Sequence, residues 1–323
     1  MSAGKEEGSE GASAPDSDLD PSRLTTTTSP ATSDGLLWVF FGPQGLRAGW
    51  AVLLFAALWW LFDFAAEFLT GPLLHQDWDT PLRPQTVVLL ESWQVFAVAA
   101  ATGLMAFFER RPALSYGFQG RARGVRFLSG LVWGFVALSA LVLALRGLGF
   151  LTLARGAQGG NPVWKDAAAW GGAFLLTGVA EEAMFRGYAQ FRLTRGIGFW
   201  WGALLCAVGF GLMHGANGGE SVVGMLAAGG IGLVFCLSLW YTGSLWWAVG
   251  FHTAWDWGES YFYGTADSGM VVQGHLLRAH AAGPRVWSGG ATGPEGSVLI
   301  WPLLAMIAMG MWIWWGKRGR GFS

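Results

Sequence analysis

Between residues 47 and 318 the sequence breaks into eight apolar segments, near 48–70, 88–108, 127–150, 167–190, 198–214, 221–241, 245–262 and 298–315. A helix crossing the hydrocarbon core of a bilayer needs roughly 20 predominantly apolar residues. Without water, backbone N–H and C=O groups must be satisfied within the segment, which selects helices. The pattern predicts an all-α polytopic membrane protein with about eight transmembrane helices, forming one domain over 47–318. Composition agrees: 53% of residues are hydrophobic and 13% charged, against about 25% charged in soluble domains. The net charge of −1 gives no field suited to nucleic acid. No nucleic-acid partner is expected, and the first partner is the bilayer. Cys206 and Cys236 lie within apolar runs and read as small core residues.

Residues 1–46 differ. Positions 1–35 are rich in Ser, Thr, Pro and acidic residues and have almost nothing to bury, so a disordered tail is expected. The tail lacks the basic and apolar regions of a signal peptide. LLWVFFG (36–42) is too short to span and is expected to lie in the membrane interface, with Trp38 as an anchor. Cytoplasmic loops carry an excess of Lys and Arg. The segment 109–126 holds Arg110, Arg111, Arg121, Arg123 and Arg126, which places it and both termini in the cytoplasm. The expected location is the cell (inner) membrane. Arg155 and Lys165 then fall in an outer loop, against the trend. The Gly-rich segment 263–297 also falls outside, and its glycines with Pro284 and Pro294 suggest an irregular, mobile cover.

Ionisable groups inside the bilayer are functional candidates by default, because each costs about 2.5–3.5 kcal/mol near the helix centre on insertion scales. The inventory comprises Asp63, Glu67, Glu91, Arg146, Glu181, Glu182, Arg186, His214, His252, Asp256 and Glu259. Glu182 and Arg186 stand four apart, acid first, on one helix face, the spacing of a neutralising pair. Glu181 points about 100° away and has no such partner on its own helix. A carboxylate of that kind suits a general base. Phe210 and His214 share a face, as do His252 and Asp256. Two chemistries fit. Two imidazoles and a carboxylate can bind Zn²⁺ through His214 and His252. Alternatively Glu181 deprotonates water directly while the histidines and Asp256 orient it and stabilise the oxyanion. HExxH, GxSxG and Walker A motifs are absent. His75, His275 and His280 fall in predicted loops.

EEAMFR (181–186), FGLMH (210–214) and HTAWD (252–256) match EExxxR, FxxxH and Hxxx[ND] in that order. They resemble the CPBP family of intramembrane proteases, which includes type II CAAX prenyl endopeptidases and bacterial ABI proteins. The resemblance covers roughly 165–260, and RRPALSYGF (110–118) is similar to bacterial members. It implies about eight spans and a polar cavity open to the cytoplasmic side. By the same resemblance, Glu181 activates the water, Glu182 is held by Arg186, and His214 and His252 orient the water or a metal. Asp256 stands where the prenyl proteases have asparagine. An ionised Asp only accepts hydrogen bonds, so Asp256 would be protonated or would orient His252, and prenyl-CAAX cleavage is not expected. Helix rise places His214 nearer the outer face than such a cavity requires. The function expected is an intramembrane endopeptidase acting on a membrane-associated peptide or protein. The competing readings are a proton- or ion-coupled transporter, for which no internal repeat is visible, and a non-catalytic scaffold.

Overall fold

The computed structural model describes residues 35, 37–43, 45–71, 81–156 and 162–318. The chain divides into the units Met1–Gly45 and Leu46–Ser323. In the first, Leu37–Phe40 forms one helical turn with Leu37 and Trp38 exposed. The expected disordered tail otherwise lies outside the described residues, as does His75.

The second unit is a helical bundle. Each of the eight apolar segments is helical: α1 (Ala48–Thr70), α2 (Pro84–Phe108), α3 (Arg123–Gly147), α4 (Val163–Glu182), α5 (Gln190–Ile197), α6 (Phe199–His214), α7 (Val222–Thr242), α8 (Trp246–Asp256) and α9 (Ile300–Trp315), with α4 and α5 sharing one segment. Among the described residues, α1, α2, α3 and α7 are long and apolar enough to cross a membrane alone. The helices α6 and α9 are apolar but shorter. The rest gain length through π-helical turns. Ala183–Ala189 joins α4 to α5, with a kink at Gly187, and Trp257–Tyr263 extends α8. Such widened turns cost regular hydrogen bonding and recur at functional sites.

Local signals set the boundaries. Pro84 opens α2, where its missing N–H is no loss. Ser221 caps α7 by accepting from Gly224 N at 3.1 Å, and Gly243 ends that helix in the left-handed conformation that favours glycine. The apolar side chains of α1 and α9 largely face outward, among them Leu53, Phe68, Trp312 and Ile313, as expected of a lipid-facing surface.

The closest crossing joins α3 to α8. A Cβ on Gly130 would collide with the Trp247 carbonyl, one on Gly134 with the Phe251 carbonyl, and one on Gly250 with the Phe127 carbonyl. Small residues at four-residue spacing let membrane helices approach to backbone contact. Leu138, Leu141, Phe235, Trp247, Phe251 and Ile307 fill the core that α3, α7, α8 and α9 share.

The loops gather at two ends. At one end, Tyr116 and Tyr188 hydroxyls donate to Glu109 at 2.8 and 2.5 Å, Arg192 Nε lies 3.4 Å from the same carboxylate, and Trp246 Nε1 donates to the Phe118 carbonyl at 3.2 Å. At the other end, Leu82 N donates to the Val271 carbonyl at 2.9 Å and Trp170 Nε1 to the Gln273 carbonyl at 3.1 Å. There β1 (Leu151–Arg155) pairs antiparallel with β2 (Leu277–Ala281), and β2 carries His280.

The segment 263–297 is irregular as expected, but it is not a loose cover. Ser268, Ser288, Thr292, Glu295 and Ser297 are buried. Gly269 N donates to the Thr292 carbonyl at 3.0 Å, and the N–H and hydroxyl of Ser268 both donate to Glu295 at 2.7 and 2.5 Å. The glycines that suggested mobility permit tight turns instead: Gly269, Gly289 and Gly293 have φ of 82°, 81° and 108°.

Candidate active site

The segment carrying Glu181, Glu182 and Arg186 is α4 with its π turn. Gly178 brings that helix against Val249 and Thr253 of α8, which stand on either side of His252 in sequence. His252 thereby becomes the hub of the site. Its Nδ1 lies 3.2 Å from Glu182 Oε1, and its Nε2 lies 3.6 Å from Glu181 Oε2 and 3.5 Å from Asp256 Oδ2. The predicted pair on α4 is present: Arg186 Nη1 donates to Glu182 Oε1 at 3.1 Å, with both side chains fully buried. Glu181, unpaired along its own helix, finds His252 on another.

Arg186 has a second support. Its guanidinium sits over the Phe210 ring at 4.1 Å, with Phe235 at 5.5 Å and Phe185 at 5.8 Å. Ring faces attract a cation where water is excluded. A Cβ on Gly232 would collide with Arg186 Nη2, so only glycine leaves room on that side. The Phe210 ring also meets His214 at 4.5 Å and His252 at 6.1 Å, and Phe235 stacks on His252 at 5.6 Å.

A cavity of about 260 Å³ joins these groups. Glu181, His214, His252 and Asp256 all line it, while Glu182 and Arg186 stand behind. His214 Nδ1 lies 2.8 Å from the Phe210 carbonyl, which fixes the imidazole with Nδ1–H as donor and leaves Nε2 as an acceptor. Asp256, four residues on from His252, shares that Nε2 with Glu181. Of the remaining predicted intramembrane charges, Asp63 lies elsewhere and accepts from Gln94 Nε2 at 2.7 Å.

Sequence reasoning left several lining residues unassigned. Glu91, an intramembrane charge outside the three motifs, faces the cavity. Asp267, Ser268 and Glu295 come from the irregular segment between α8 and α9. Glu259, Asp267 and Glu295 bring carboxylate oxygens within 4.8 Å of one another beside the cavity. Burial, with Glu295 alongside, pushes the Asp267 carboxyl up to about 8. No local spacing signals this group, because Glu295 lies far along the chain from its partners.

The histidines and Glu181 are not gathered around one metal-sized point. Both nitrogens of His252 face carboxylates, and His214, His252 and Glu181 do not bring three donor atoms within 4.8 Å. Among the described residues only the all-carboxylate trio converges so closely.

A family model for the type II CAAX prenyl endopeptidase Rce1-like proteins matches residues 163–258. No curated protein and no solved structure matches the chain. The matched span runs from the first residue of α4 to just beyond Asp256, and so takes in all three motifs and the whole His252 hub.

Proposed function

We propose, taking as premise that residues 163–258 form a domain of the Rce1-like type II CAAX prenyl endopeptidase family, that this multi-pass membrane protein hydrolyses a peptide bond with a water activated by Glu181. The observation that carries the reading is the His252 hub. One imidazole is held between Glu182 on one side and Glu181 with Asp256 on the other, at 3.2–3.6 Å, and Glu181 opens onto the cavity.

The roles follow from position. Glu181 takes one proton from the water, while His214 Nε2 accepts a hydrogen bond from the O–H that remains. The nucleophile is thus aimed by two fixed groups. His252, donating from both nitrogens, places positive charge beside the tetrahedral oxyanion. Glu181 then returns its proton to the leaving amine. Glu182 and Arg186 neutralise each other and hold His252 Nδ1, and Asp256 aligns its Nε2. No step runs through a metal. Asp256 in place of asparagine supports a substrate other than a prenylated CAAX peptide. A membrane-associated peptide or protein is the substrate class, and the arginine distribution supports a cell membrane location with both termini in the cytoplasm.

The test is cleavage of a peptide library by purified protein in detergent. Glu181→Gln should lower turnover about 10²–10⁴-fold, the usual worth of a general base. Glu182→Gln should act through stability and His252 alignment, with residual turnover above that of Glu181→Gln. Full activity in Glu181→Gln overturns the mechanism. Loss of activity on chelation, restored by zinc, would replace it with a metal-dependent one.

A further inference from the structure

We propose that the cavity opens on the face opposite the arginine-rich loops, so that the protein takes its polypeptide from the non-cytoplasmic side of the membrane. The inference rests on the peptidase reading only for what the cavity does; the direction of its mouth is carried by other observations.

Every loop that lines the cavity belongs to one end of the bundle. Leu82 precedes α2, Asn217 follows α6, and Asp267, Met270 and Glu295 come from the segment between α8 and α9. Those loops are bonded to one another across Leu82–Val271, Trp170–Gln273 and Thr292–Gly219. Nothing from 109–122, 191–198 or 243–245 reaches the cavity.

That second set of loops carries the dense positive charge. Arg110, Arg111, Arg121, Arg123 and Arg126 lie in or beside one of them, and Arg192 and Arg195 in or beside another. Lys317 and Arg318 follow α9 at the same end. Glu109 is the acid set among them. At the cavity end, Arg83, Arg146, Arg155, Lys165, Arg278 and Arg285 are spread over much longer segments, interspersed with Asp166, Glu220, Asp267 and Glu295. Lys and Arg concentrated in short loops hold those loops in the cytoplasm. The cavity mouth then faces outward. The same placement removes the difficulty with His214, which ends α6 at the mouth end and still lines the cavity.

The lining describes what enters. Leu82, Val87, Leu90, Trp170 and Phe174 form an apolar wall, the acids Glu91, Asp267 and Glu295 also line the space, and no Lys or Arg does so among the described residues. At about 260 Å³ the space falls just below the roughly 300–1,000 Å³ of drug-sized pockets. It accepts a short extended stretch with an apolar side chain beside the scissile bond, and excludes a whole helix. The substrate class is therefore an exported or membrane-anchored polypeptide, cut where it meets the outer boundary of the bilayer.

The unaltered chain provides the test. Lys165 is exposed at the cavity end and Lys317 is exposed at the arginine-rich end. Intact cells would be treated with a membrane-impermeant amine reagent, and modification read by mass spectrometry. Lys165 should be modified equally in intact and permeabilised cells, and Lys317 only after permeabilisation. A second probe, Val271→Cys at the rim, should react with an impermeant maleimide from outside, since Cys206 and Cys236 are buried. Modification of Lys317 in intact cells, or protection of Lys165 there, overturns the proposal. Labelling reads orientation alone, so an inactive protein labelled as expected would sink the peptidase reading and leave the orientation standing.

Discussion

A guanidinium in the middle of a bundle needs more than one neighbour, and Arg186 has two kinds. Glu182 accepts from Nη1, and the rings of Phe210, Phe235 and Phe185 surround the rest. Among the described residues Nε and Nη2 have no hydrogen-bond partner of their own, so the rings supply what water would. Gly232 is the narrow point of this cage. Gly232→Ala should push the guanidinium off Glu182, destabilise the protein by about 1–3 kcal/mol as overpacking does, and lower activity through His252. An unchanged thermal transition in detergent would contradict the cage. The sequence disclosed half of this arrangement. Four-residue spacing pairs Glu182 with Arg186 and His252 with Asp256. Phe235 is one phenylalanine among 22, and no local pattern distinguishes a ring that faces a cation from one that faces lipid. Glu181 was legible as the carboxylate without a helical partner, but its contact with His252 belongs to the packing of α4 on α8.

At the scale of elements, the eight apolar segments map onto the eight helical rods because hydropathy and span length are local properties. The departures lie where the chain departs from a regular helix. The π turns after Glu182 and after Asp256 follow directly on the two motif helices, and single-sequence periodicity does not register one extra residue in a turn. The crossing of α3 and α8 was written in the sequence as Gly130 and Gly134, a GxxxG spacing that becomes informative only once Gly250 is known to face it. Gly134→Ala should force the Phe251 carbonyl away and shift His252, its neighbour on α8. The expected result is a lowered thermal midpoint, by about 1–3 kcal/mol of stability, with a larger fractional loss of peptidase activity than of folded protein. Ala at Gly124, whose added Cβ would meet no other part of the described structure within 4 Å, is the matched control and should lower neither.

Across the whole molecule, the segment between α8 and α9 closes the bundle by burying polar groups rather than by floating over it. Asp267 makes that closure sensitive to pH. Its carboxyl is held up to about 8 by burial and by Glu295, while an unfolded Asp titrates near 3.9. Between those values the folded state retains a proton that the unfolded chain releases. Stability therefore falls as pH rises through this window. Hydrogen exchange in residues 264–272 should quicken as pH rises from about 4 to about 8, after correction for intrinsic rates, and Asp267→Asn should flatten the dependence. Composition could read this segment as glycine-rich and irregular. It could not show that its acids turn inward, because the partners they meet are set by tertiary closure.

The cage around Arg186 also bears on how the protein is made. Phe210 and Phe235 lie on α6 and α7, which leave the ribosome after α4. When α4 first meets the membrane it carries Glu181, Glu182 and Arg186 with most of their shelter not yet synthesised. It is absent from the helices apolar enough to cross alone. The order of synthesis thus predicts that α4 settles late, fixed in place by elements encoded downstream, with its insertion coupled to completion of the bundle around it.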